Sequence, residues 1–178
     1  MYLRLFKYVV IATFLALSVA AASVGVEEYQ VKAVFTYNFA KFVDWPAGSF
    51  KGNASPFVIT VLGSGKQAET FETISGQTVK NRKVEIRNVT RVEDIGDSHI
   101  LFVCATEQKH IKEIINLVTS RGILTISDIE KFVQTGGIIG LVMVGDKIRF
   151  EINLHAANRS GLRISSRLLK LARTIIDE

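Results

Sequence analysis

Two almost unbroken apolar runs, residues 57–62 (Phe-Val-Ile-Thr-Val-Leu) and residues 98–105, set the tightest limit on what this chain can fold into. Each is short, β-branched or aromatic in character, and shows no alternation that would leave one face to water. Such runs read as strands covered on both sides, which is the mark of a parallel sheet flanked by helices. Helical spacing lies between and around them. Residues 27–45 carry Val31, Val34, Phe35, Phe39, Phe42 and Trp45 at intervals of three and four, and Pro46 ends the pattern. Asn38 falls within that stripe and should therefore need a buried partner. Residues 66–74 and 108–120 read as helices, 83–89 and 123–126 as strands, and 129–134 as a short helix closed by Gly136-Gly137. Residues 138–144 and 147–153 flank Gly145-Asp146, a tight hairpin signal. A last helix is predicted over residues 161–176. The class is α/β, a three-layer sandwich with a mainly parallel sheet and an antiparallel C-terminal hairpin at its edge.

The first residues are of another kind. Arg4 and Lys7 precede an uncharged run from Tyr8 to Val26, whose bulky half ends at Leu17 and whose small-residue half contains Ala20-x-Ala22. This is the pattern of a signal peptide over residues 1–22, leaving one domain over 23–178. An uncleaved membrane anchor is the alternative, since the run is long enough to span a bilayer core. Both readings place the domain outside the cytoplasm. The only cysteine, Cys104, cannot form an internal disulfide there, and its apolar run favours a buried, inert thiol.

Charge narrows the function classes. The formal net charge is +5, but Arg4 and Lys7 lie in the leader, residues 23–158 are balanced, and the remaining surplus lies in residues 159–178. On the predicted last helix Arg163, Arg167 and Lys170 share one face, with Arg159 just before it and Ile164, Leu168, Leu171 and Ile175 opposite. This is either a solvated basic face over a core face, or a docking stripe for an acidic partner or anionic lipid. Arg159, Arg163, Arg167 and Lys170 are thus the candidate partner-binding residues. Nucleic acid is excluded by compartment.

Chemical motifs are sparse. Gly63-Ser64-Gly65-Lys66-Gln67-Ala68 has the G-x-G-x-x-A spacing of a pyrophosphate-binding turn, directly after a strand and opening a helix. The plainer reading is a turn, because Glu85 lies within its strand rather than at its end, where a ribose acid belongs. His99, His110 and His155 show no metal-ligand spacing with one another or with Cys104, so no metal is expected. Ser127-Asp128 reads as a helix cap before Ile129 rather than part of a triad. No enzyme and no cofactor are indicated.

Four segments together resemble the YfiR family of exported proteins. They are Tyr29-Gln-Val-Lys-Ala-Val-Phe-Thr-Tyr-Asn-Phe-Ala-Lys-Phe-Val-Asp-Trp-Pro46, Gly122-Ile-Leu-Thr-Ile-Ser-Asp128, Gly136-Gly-Ile-Ile-Gly-Leu-Val142 with Ile148-Arg-Phe-Glu-Ile-Asn153, and Ala156-Ala157 with Gly161 to Ala172. The resemblance implies a Rossmann-like domain, often dimeric. It also implies a periplasmic regulator that restrains an inner-membrane diguanylate cyclase, or another sensor protein, through that partner's periplasmic portion. An outer-membrane lipoprotein can sequester such regulators. The family offers no catalytic residues. Its matching polar positions here include Asn38, Lys41, Asp128, Glu151, Asn153, Arg163 and Ser166, expected to serve structure or partner contact. With Gly63, Gly65 and Lys66 of the glycine turn, Asn38, Asp128 and Asn153 are the candidate ligand-binding or structural positions. A small anion or nucleotide-like ligand at that turn is the alternative function.

Overall fold

A computed structural model describes residues 27–52 and 54–177. The predicted signal peptide lies outside the described residues. Helix α1 covers residues 27–39 and tightens into a 3-10 turn at Ala40–Phe42. The chain then extends as β1 (Val43–Asp44) instead of continuing helically to Trp45. Extension suits the β-branched Val43 and lets the segment pair with a strand far along the chain.

The sheet grows outward from β2 (Phe57–Leu62), in which every residue is buried. Helix α2 (Lys66–Glu69) and a 3-10 segment (Thr70–Ile74) lead to the hairpin of β3 (Thr78–Val79) and β4 (Arg82–Val89). The rest of the sheet comprises β5 (Ile100–Val103), β6 (Leu124–Ser127), β7 (Ile139–Val144) and β8 (Lys147–Asn153). Helix α3 (Ile111–Val118) joins β5 to β6, and α4 (Leu154–Arg159) follows β8. The last elements are β9 (Arg163–Ile164), α5 (Ser166–Leu169) and β10 (Thr174–Ile176). The eight-stranded order is β10-β8-β7-β6-β5-β2-β4-β3, and β1 pairs with β9 separately. Strands β4, β2, β5, β6 and β7 run parallel, while β8 returns antiparallel to β7. Apolar side chains of α1, the Thr70–Ile74 turn, α4 and α5 cover one face, and those of α3 and Ile95 cover the other. The three-layer α/β architecture and the antiparallel hairpin agree with the sequence.

Three expectations need correction. The face of α1 turned to the sheet is Tyr29, Lys32, Ala33, Thr36, Phe39 and Ala40, all buried, whereas Val31 and Val34 are 45% and 48% exposed. Ala33 and Ala40 let the helix approach closely, and the polar members of that face find partners. Second, residues 129–134 form successive turns in place of a helix, with Lys131 in the left-handed region at φ 59°. Third, the helix expected over 161–176 is split. Arg163 and Ile164 pair with Asp44 and Val43, Ser165 caps the single turn α5 through the Leu168 N–H, and Thr174–Ile176 runs parallel to Glu151–Asn153. Strand pairing with β1 and β8 overrides the helical propensity of the Leu-, Lys- and Arg-rich sequence between them.

The loop after β1 is pinned by His99. Its Nδ1 accepts the Val58 N–H at 3.0 Å, so Nε2 carries the proton and donates to the Ser49 carbonyl at 3.0 Å. Trp45 Nε1 donates to the His99 carbonyl at 3.1 Å, and the imidazole stacks against both Phe50 and Phe57, which also contact each other. Burial holds this imidazole below the ordinary histidine value of 6.5, with Arg82 and Arg87 adding to the effect. The folded state therefore refuses a proton that the unfolded chain accepts. Stability should be complete above about pH 6.5 and decline as pH falls below it. Urea titrations at stepped pH should show that decline in the wild type and a flatter profile in His99→Gln.

Candidate functional site

The order of the parallel strands reverses between β2 and β5. The chain moves from β2 to β4 on one side and returns to β5 on the other, so the carboxyl ends of β2 and β5 form the crevice where open α/β sheets hold ligands. Gly63, Gly65 and Lys66 stand at this point, and Gly63 lies close against the chain leaving β5. A Cβ on Gly63 would lie 2.5 Å from Cys104 Cβ and 3.0 Å from Thr106 Oγ1, so glycine is needed there for close packing. Helix α2, opened by Lys66, is one turn long.

The neighbouring crevice is closed by α1. The Tyr29 ring meets Phe102 edge-on at 6.3 Å, and its hydroxyl donates to Asp128 Oδ2 at 3.0 Å. Lys32 Nζ lies 2.5 Å from both Asp128 Oδ2 and Glu28 Oε1, and 4.3 Å from the Tyr29 ring centroid. Lys32 is only 4% exposed. Asp128 thus faces α1 and ties it to the end of β6. The helix cap expected of Ser127-Asp128 is not formed, because no helix follows directly; Ser127 Oγ accepts the Ile129 N–H at 3.0 Å within a turn. Burial, then the negative charge of Asp128, pushes the Tyr29 hydroxyl above its usual range. Burial first, then Asp128 and Glu107, push the Cys104 thiol up to about 12. Protonated Tyr29, protonated Cys104 and an ion-paired Lys32 form a lock between α1 and the end of β6, with no activated nucleophile in it.

The remaining candidates are dispersed. Asn153 accepts the Ala156 N–H at 2.7 Å as the cap of α4 and donates to the Val133 carbonyl at 2.8 Å, cross-linking two segments. Asn38 is half-buried and accepts from Lys41 Nζ at 2.9 Å, so the buried partner expected for it is replaced by an exposed one. Arg159 ends α4, Arg163 lies opposite Asp44 in β9, Arg167 is in α5, and Lys170 follows α5; all four are exposed. No single helical face gathers them.

The sequence reading missed an apolar groove of about 470 Å³ on the outer side of α1. Val31, Val34, Phe35 and Phe42 form one wall, Leu168 and Leu171 the other, and Phe150 lies at its base. Leu171 is 66% exposed. Phe35, Phe39 and Phe150 pack edge to face or tilted, with centroids 5.0–6.5 Å apart, giving the groove a stiff floor. The signal was present in the sequence: residues 27–42 carry more large apolar groups than one helix face can bury.

The lock yields a testable outcome. Lys32→Met should destabilise the protein by about 3–5 kcal/mol, because the Asp128 carboxylate stays buried without its cation. Chemical unfolding measures this. In the wild type, Cys104 should resist iodoacetamide at pH 8 until denaturant is added, whereas the Lys32→Met protein should be labelled faster in the same assay.

No curated protein matches the chain in sequence. Among solved structures, it is similar to a conserved domain protein from Vibrio cholerae O1 biovar El Tor, at 13% identity and a TM-score of 0.53, over 67% of this chain and 54% of that one. It is also similar to the ABC domain in complex with L-Trp from Streptococcus pneumoniae, at 16% identity and a TM-score of 0.52, over 67% of this chain and 55% of that one. The chain thus spans little more than half of each, and the likeness is one of fold. A family profile described as YfiR/HmsC-like (DUF4154) matches residues 29–173, the stretch from the Tyr29 lock to the threshold of β10. The chain therefore belongs to the YfiR/HmsC-like family.

Proposed function

We propose that this protein is a non-enzymatic regulator that acts in the periplasm by binding the sensor portion of an inner-membrane diguanylate cyclase. The observation that carries the reading is the groove along α1. Concave, aromatic-floored apolar surface of this kind is where binding energy concentrates in protein interfaces. Arg167 and Lys170 lie beside Leu168 and Leu171 in sequence, and the surplus positive charge beyond the leader is at this end. The occupant that fits is a partner segment with apolar side chains for the groove and acidic groups beside them. Arg159 and Arg163 lie farther along the same basic stretch and would add long-range steering.

Control follows if the protein prefers one conformation of the partner's sensor and shifts its population. An outer-membrane lipoprotein that occupied the same groove would relieve the restraint by competition. The alternative of a small-anion site at Gly63–Lys66 gains no support, since Cys104 and Thr106 occupy the position in front of Gly63.

Leu171→Glu should lower partner co-purification by tenfold or more and raise cyclase output in cells, with the circular dichroism spectrum unchanged. Reversing Arg163, Arg167 and Lys170 to Glu should slow association and remove its salt dependence. Undiminished co-purification of both variants would overturn the reading. A wild-type dimer that Leu171→Glu dissociates would instead assign the groove to a second copy of the chain.

A further inference from the structure

A second cleft, of about 500 Å³, opens at the edge where the parallel strands begin. It shares no lining residue with the groove along α1. Its walls come from the loop after β1, the turn before β5, the turn before β6 and the outer strand β4. Pro56, Val58 and Ile123 supply an apolar floor, while Lys51, Arg87 and Arg121 converge from three separate segments.

The charges in the cleft are unbalanced. Lys51 Nζ lies 2.6 Å from Asp97 Oδ2, the one carboxylate among the described residues that line the cleft. Arg121 Nη2 donates to the Gly96 carbonyl at 2.7 Å, which holds its guanidinium beside that carboxylate. Arg87 Nε donates to Glu85 Oε1 at 2.7 Å, outside the lining. The Asp97 carboxyl is held below the usual range, first by Lys51 and then by Arg121 and Arg87, so all three cations act on one point. Asp97 marks where negative charge is favourable.

The cleft is also stiff on one side. Arg82 Nη1 donates to the Gly52 and Ser55 carbonyls, both at 2.7 Å, and its guanidinium lies 4.1 Å over the Phe50 ring. Phe50 in turn stacks on His99, whose Nε2 holds the Ser49 carbonyl. The backbone at Gly52 and Ser55 is thereby tied to Arg82 without using the cations that face the cleft.

We infer that this cleft binds a small organic oxyanion, its phosphate or carboxylate group held by Lys51, Arg87 and Arg121 and its body resting on Pro56, Val58 and Ile123. Such a ligand takes over Lys51 from Asp97 and leaves the Lys32 lock and the α1 groove untouched. The inference is independent of the regulatory reading, since partner binding and ligand binding use separate residues.

The test is thermal denaturation of protein expressed from its full reading frame, with inorganic phosphate, citrate and AMP as probes and sodium chloride at matched ionic strength as control. At least one probe should raise the melting temperature beyond the chloride control. Phosphate alone would identify the oxyanion as sufficient, citrate a carboxylate ligand, and AMP a phosphate ester with a body. Arg87→Gln and Arg121→Gln should each weaken that probe about tenfold, the worth of one charge-assisted bond. Lys51→Gln, at a side chain 82% exposed and so safe for folding, should do the same, and Asp97→Asn should strengthen it. Arg167→Gln should leave it unchanged. No shift beyond chloride with any probe, or a shift that survives in all three cation variants, would overturn the inference.

Discussion

Taking an ammonium group out of water costs several kcal/mol unless charges and hydrogen-bond acceptors replace the solvent, and Lys32 meets that condition in only one orientation of α1. Its acceptors are Asp128, just past β6, and Glu28, one turn back along the same helix. A rotation of α1 by one residue position, about 100°, would take Lys32 away from Asp128 and strand the carboxylate. The pair therefore fixes which side of the helix meets the sheet. Everything outward follows from it: Val31, Val34 and Phe35 are left at the surface, where with Leu168 and Leu171 they form the groove. The groove is a consequence of a polar contact on the far side of the same helix.

The same contact marks the limit of what could be read from the chain alone. The apolar runs at 57–62 and 98–105 announced buried parallel strands, because burial on both faces leaves an unbroken pattern that nothing else explains. Gly145-Asp146 announced its hairpin for an equally local reason. The inward face of α1 was hidden, since the pattern 29/32/33/36/39/40 contains a lysine and a threonine and loses to the aromatic stripe on any hydrophobic criterion. What decides in its favour is Asp128, 96 residues away. The C-terminal stretch was hidden for a related reason. Its residues favour a helix locally, and only the open edges of β1 and β8 recruit it into strands. The candidate site inherited both errors. The basic face required a helix that is not formed, and the groove required α1 to be rotated away from its apparent apolar side.

The fold shared with the Vibrio cholerae and Streptococcus pneumoniae structures has a customary place for ligands at the reversal of strand order. Here Tyr29 and Cys104 pack beside that place as buried, protonated groups, and Gly63 lies close against Cys104 and Thr106. Fold and function thus separate in this molecule. The scaffold is retained, and the apolar groove and the cationic cleft lie on the outer side of a helix and at the opposite edge of the sheet.

Strand β10 has a consequence for solubility. It pairs with Glu151 to Asn153 of β8, and the Arg173 N–H just before it donates to the Phe150 carbonyl, so the open margin of the hairpin runs from Lys147 to Arg149. An open strand margin of this sort is a template for unwanted pairing with other chains. Lys147 and Arg149 stand exposed along that stretch. Their like charges repel a second copy brought edge to edge, so three residues of β10 and two cations share the work of keeping the sheet from growing.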